Sequence, residues 1–137
     1  MRTKRIVAVL SFGAGTGLAY ATDRFMTGRV PGMRLPLASS GLVGAALVYP
    51  VCRRRPRRGM AVAIEWLALG TTAVAGVASA RLPVPEQRRV VATGWAAHAL
   101  FDLFHRRGKR SLIPDWYPAA CAGYDLALAA LLLSRPE

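Results

Sequence analysis

The 137-residue chain is 53% hydrophobic, and its 19 Lys and Arg against 7 Asp and Glu give a net charge of +12. Its apolar and charged residues fall into separate blocks, a membrane pattern that leaves no soluble scaffold for reading nucleic acid, so the charge is assigned to loops on an anionic membrane surface and nucleic acid is set aside as a partner. Two cysteines without a C-x-x-C pair, Cys52 and Cys121, exclude a structural zinc site and read as small packing residues.

Taken in chain order, a basic lead-in (Arg2, Lys4, Arg5) precedes an apolar run over 6–22. Its charged start and Ala19-Tyr20-Ala21 ending fit a cleavable signal. A first membrane helix fits better, because more spans follow, and Gly13 and Gly17 then form a G-x-x-x-G contact. The run G-A-G-T-G lacks the residues of a dinucleotide fingerprint or a P-loop. Residues 23–34, with Asp23, Arg24, Arg29, Pro31, Gly32 and Arg34, read as a polar link. A second span covers 35–52 and closes at Tyr49-Pro50. After R-R-R-P-R-R at 53–58, the longest apolar run, 59–80, forms a third span with one charge, Glu65. Pro83, Pro85 and Glu86 mark a loop before a fourth span over 88–104. A basic run at 106–110 leads to a fifth span over 116–133, with Asp125 inside. Ala- and Leu-rich runs without period-two alternation exclude strands. The expected fold is therefore a single all-α domain over 1–137, a polytopic membrane bundle of about five transmembrane helices. Spans of this length sit at the lower end of what a bilayer core of ~30 Å requires.

With five spans, the N-terminus and the runs at 53–58 and 106–110 share one side and hold twelve of the basic residues, against seven opposite. The positive-inside rule then puts the N-terminus in the cytoplasm and the C-terminus outside.

The polar residues inside the spans are the informative ones, since ionisable groups in a membrane helix are costly and point to function. His98, Asp102 and His105 are spaced i, i+4, i+7, which places them within roughly 60° on one helical face. Glu65 and Asp125 lie in the same half of the membrane on the expected topology. Three readings compete: polar glue between helices, acid–base chemistry by carboxyls in a low-dielectric site with a histidine relay, and a single divalent metal held by His98, His105, Asp102 and Glu65. Acid–base chemistry leads. In it Glu65 or Asp102 donates the proton, His98 is relay or base beside His105, Asp125 is the second carboxylate, and neither cofactor nor metal is required.

Aromatic faces attract cations, so Trp66, Trp95, Phe101, Trp116, Tyr117 and Tyr124 are candidates to line a hydrophobic, isoprenoid or lipid substrate that enters from the bilayer. Ordinary packing accounts for each of them singly. The rival class is a non-catalytic membrane subunit or small transporter, and the sequence sets no oligomeric state.

The last third of the chain adds a motif: His98-x3-Asp102-x2-His105, then Pro114-Asp115-Trp116-Tyr117-Pro118, Cys121 and Tyr124-Asp125. Over about 65–133 it resembles a family of small bacterial integral-membrane proteins of uncharacterised function. The resemblance implies a polytopic protein of the bacterial inner membrane with a shared polar site, and it supplies no reaction. The family pattern commonly has a further histidine where this chain has Arg106, which weakens the metal reading. In residue types alone, the site is also similar to small integral-membrane terpene cyclases, an analogy of mechanism.

Overall fold

The computed structural model describes residues 2–52, 59–105 and 112–134. The basic runs at 53–58 and 106–110, and Arg135, lie outside the described residues. Among those described, every regular element is a helix: α1 (Arg2–Arg29), a 3-10 turn (Pro31–Met33), α2 (Arg34–Val51), α3 (Met60–Ser79), α4 (Val84–Phe104) and α5 (Tyr117–Ser134). The protein is thus an all-α bundle. Four of these segments are long and apolar enough to cross a membrane: Thr3–Arg29, Pro31–Val51, Met60–Ser79 and Tyr117–Ser134. The exception is α4. Its 21 residues reach about 32 Å at 1.5 Å each, but Glu86, Arg88, Arg89, His98 and Asp102 dilute its apolar character.

The ends of the helices follow from local chemistry. Pro83 precedes α4 and Pro85 sits in its first turn, where a missing N–H is no loss. Gly59 opens α3 with φ of 146°, which only glycine adopts without strain, and its carbonyl accepts from Val62 and Ala63.

The polar link expected over 23–34 does not form. Helix α1 runs through it to Arg29, and α2 begins at Arg34 after a single turn. The charges that read as a solvated loop are internal: Asp23 and Arg34 are both fully buried. Nε and Nη2 of Arg34 donate to Asp23 Oδ1 at 2.9 and 2.7 Å, and Nη2 also donates to the Leu131 carbonyl at 3.0 Å. That carbonyl belongs to the last turn of α5, where helix acceptors lack intrahelical partners. One guanidinium therefore ties α1, α2 and α5 together.

The expected Gly13–Gly17 contact is also corrected. Neither glycine has a neighbour within 4 Å of where a Cβ would stand. The close approach belongs to Gly15, whose Cβ would collide with the Ala120 carbonyl, and to Gly123, whose Cβ would collide with that of Phe12. Gly15, Ala19, Asp23 and Met26 form the buried stripe of α1. Small residues on facing helices let two backbones meet, which is how helices associate where lipid is as apolar as leucine.

Helix α5 is central, packed extensively on α1 on one side and α4 on the other. The core joins Leu35, Ala38 and Leu42 of α2, Val91, Ala92 and Trp95 of α4, and Leu128 and Leu132 of α5. Helix α3 is peripheral and packs on α2 and α4. Glu65 and Ser79 are its two buried residues, while Ile64, Leu67, Val74 and Val77 are exposed as a lipid-facing helix would have them.

Candidate functional site

The i, i+4, i+7 stripe of α4 turns inward, with His98 and Asp102 buried and His105 half-buried one residue past the helix end. Its partners come from three other helices. Nδ1 of His98 lies 2.8 Å from Asp125 Oδ2 on α5 and 3.7 Å from Asp102 Oδ2, one turn along α4. The Tyr49 hydroxyl of α2 donates to Asp102 Oδ1 at 2.6 Å. Nε2 of His105 lies 2.7 Å from Glu65 Oε1 on α3.

The five ionisable residues expected at the site therefore resolve into two histidine–carboxylate groups. Glu65 meets His105, not His98, while Asp125 and Asp102 both face His98. Aromatic rings join the groups: Phe101 is stacked on His105 at 4.5 Å between centroids, with the ring planes 11° apart, and on His98 at 6.1 Å. Tyr49 meets Phe101 and His105 edge-on at 5.1 and 5.3 Å. Tyr49 is thus the connector that the sequence reading missed, having taken it as an end signal for the second span. The available signal was a hydroxyl in a span otherwise short of polar groups, because a buried tyrosine usually finds a hydrogen-bond partner.

The remaining aromatic candidates separate by position. Trp95 is buried and donates Nε1–H to the Ala38 carbonyl at 3.1 Å, with Tyr124 edge-on at 5.6 Å. It therefore packs α4 on α2. Tyr124 also hydrogen-bonds Thr22 of α1. Tyr117 is half-buried at the start of α5 and hydrogen-bonds Cys121. Trp116 is exposed and tilted against Tyr117. Trp66 is 57% exposed although its neighbour Glu65 is buried, so it does not line the cluster as expected. Phe101 is the one of the six that touches both histidines.

Two features define what this arrangement does chemically. A nitrogen and a carboxylate oxygen 2.8 Å apart are held by a shared proton, so His98 and Asp125 keep one between them. The other ring nitrogen, Nε2, is buried and has no partner in hydrogen-bond geometry; the Ala45 carbonyl faces the ring without completing such a bond. A buried polar atom left in that state costs on the order of 1–3 kcal/mol, and groups of this kind concentrate where a ligand supplies the missing contact.

His98, Asp102 and Asp125 also each offer a ligand atom within 4.8 Å of the others, making them the set that could hold a metal ion. Glu65 and His105, which the sequence reading included among possible ligands, fall outside this set. No protein-family model, curated protein or solved structure matches the chain.

Proposed function

We propose that the protein is an integral-membrane enzyme that moves protons to and from a hydrophobic isoprenoid or lipid substrate, with His98 as the acid–base residue. The observation that carries this reading is the division of labour on one buried imidazole. Nδ1 is held by Asp125 at 2.8 Å, and Nε2 has no protein partner. A carboxylate on one ring nitrogen orients the ring and stabilises its protonated form, and the opposite nitrogen is then the one that exchanges a proton with substrate. Asp102, fixed by the Tyr49 hydroxyl, is the second carboxylate beside the same ring. Glu65 and His105 form a supporting pair, a change from the donor role that sequence alone assigned to Glu65.

Isomerisation or cyclisation of a prenyl chain is the reaction class that fits best. The proton on Nε2 forms a new C–H bond at one carbon, the substrate carries the positive charge, and a proton lost from another carbon returns to Nε2. Atoms balance, and no cofactor is needed. The resemblance of the His-x3-Asp-x2-His motif to bacterial membrane proteins supports an inner-membrane setting, as do the four apolar helices. The positive-inside rule supports a cytoplasmic N-terminus and a cytoplasm-facing site. Burial of Arg34 in an ion pair strengthens that bias, since it removes one cation from the opposite side.

The gathering of His98, Asp102 and Asp125 favours a second reading, a divalent metal in the cluster. Ligands of a tetrahedral ion at 2.0–2.2 Å stand roughly 3.4 Å apart, so the 2.8 Å His98–Asp125 contact would have to open to admit one. Proton sharing fits the observed spacing without that movement. Elemental analysis of the purified protein separates the two, because a stoichiometric metal lost in Asp102→Asn would replace the acid–base reading. If the cluster is only polar glue in a membrane subunit, its variants change stability and no product.

The test is product formation by protein reconstituted with bacterial lipid and isoprenoid extracts and followed by mass spectrometry. His98→Ala and Asp125→Asn are expected to lose a product that is isomeric with its substrate. Folded variants that both retain it would show the reading to be wrong.

A further inference from the structure

Between peripheral α3 and helices α2 and α4 runs a cleft of about 270 Å3. Its lining extends from Val90 to Phe101 on α4 and from Ala68 to Ser79 on α3, so it is roughly 16 Å long at 1.5 Å per residue. Much of its wall is small, with Ser39, Ala75, Gly76, Gly94 and Ala97, which leaves a narrow slot instead of a round chamber.

The hydroxyls on the α3 wall turn back on their own helix. Thr71 donates to the Leu67 carbonyl at 2.8 Å, Thr72 to that of Ala68 at 2.7 Å, and Ser79 to that of Gly76 at 2.9 Å. Satisfied in this way, they present mainly hydrocarbon to the cleft, and among the described residues its lining carries no fixed charge. His98 is the exception. Its ring lines the inner end of the slot beside Phe101, it is 7% exposed, and its Nε2 has no protein partner.

We infer that this cleft holds a single hydrocarbon chain, acyl or prenyl, laid along α3 and α4 with its reacting end at Nε2 of His98. The inference rests on the proton-transfer reading for the identity of that end, and adds the route and the shape of the substrate. Helices α2 and α3, which form two of the walls, are apolar enough to cross a membrane, so the medium at the mouth is lipid tails. A slot one chain wide and without charge admits such a tail and excludes a headgroup or a fused ring system. The polar end of the molecule is then matched by the one buried atom of the slot that has a bond still to make.

Photo-crosslinking in proteoliposomes tests this, with diazirine-bearing palmitic acid in one arm and a diazirine-bearing farnesol in the other, and the labelled residues mapped by mass spectrometry. Label is expected on Ala68, Thr72 and Ala97, and the arm that labels more strongly names the chain class. Ala75→Trp should cut that labelling about fivefold by overpacking the slot, whereas Val74→Trp, on the outer face of α3, should not. Thr71→Leu serves as the second blocking variant if Ala75→Trp fails to fold. Label spread evenly over Ile64, Leu67 and Val74, or unchanged by the folded blocking variant, overturns the inference. His98→Ala separates this result from the catalytic reading: labelling of the slot should persist in it while product is lost. Loss of product without slot labelling in the wild type removes only the chain route, and slot labelling with unchanged product removes only the catalysis.

Discussion

Nδ1 of His98 and Oδ2 of Asp125 lie 2.8 Å apart although they are 27 residues apart in the chain. The packing of α4 on α5 creates that contact, and the packing of α3 beside α4 creates a parallel one, between His105 and Glu65 at 2.7 Å. The chain has two histidines, so each reports on its own carboxylate. In a spectrum of protein carrying 15N-labelled histidine, Asp125→Asn should move the ring signals of one imidazole and Glu65→Gln those of the other. If either variant shifts both rings equally, the two groups act as one.

The buried Asp23–Arg34 pair is expected to behave as an internal ion pair whose halves depend on each other. Removing one partner strands a charge and costs about 3–5 kcal/mol, whereas replacing both with apolar residues of similar size is often close to neutral. Thermal unfolding in detergent should therefore show Asp23→Leu and Arg34→Met each strongly destabilised and the double variant largely recovered. Recovery will fall short of complete, because Arg34 also serves the Leu131 carbonyl.

The α1–α5 crossing is expected to tolerate no side chain at Gly15 or Gly123. Gly15→Ala places a methyl against the Ala120 backbone, and relief by shifting a helix costs about 1–3 kcal/mol. Gly13→Ala and Gly17→Ala, both in open space, should leave the melting temperature at or slightly above that of the wild type, since alanine is the better helix former. Equal losses at all four positions would contradict the crossing.

Helix α3 has little buried surface to hold it, so Glu65 should matter for its placement. Glu65→Ala removes the bond to His105 and leaves a half-buried ring nitrogen to find water. Distances between spin labels on α3 and α4 should broaden in this variant and remain narrow in Trp66→Ala, whose side chain faces outward. Unchanged distances in Glu65→Ala would mean that apolar contacts alone dock α3.

Much of the architecture is legible in the sequence because segregation of apolar runs is a local property. The Ala- and Leu-rich blocks mark five helices, and the spacing of His98, Asp102 and His105 is sufficient to put them on one face. The errors fall where a residue's partner is distant. Asp23 and Arg34 look like loop charges until each is seen to neutralise the other inside the bundle, and with them buried the helix continues past residue 22. Gly15 cannot be told from Gly13 or Gly17 by spacing, since the choice depends on which face of α1 meets α5. Tyr49, Glu65 and Asp125 sit on three different helices, and no periodicity within any of them reveals which histidine each will meet.

The most direct measurement of the proton-transfer role is the isotopic content of the product made in heavy water. Reconstituted wild-type protein, incubated with isoprenoid and lipid extracts in D2O, should yield a product isomeric with its substrate that carries a carbon-bound deuterium, and folded His98→Ala should yield none. Deuterated product at an undiminished rate from folded His98→Ala would contradict the assignment of His98 as the acid–base residue.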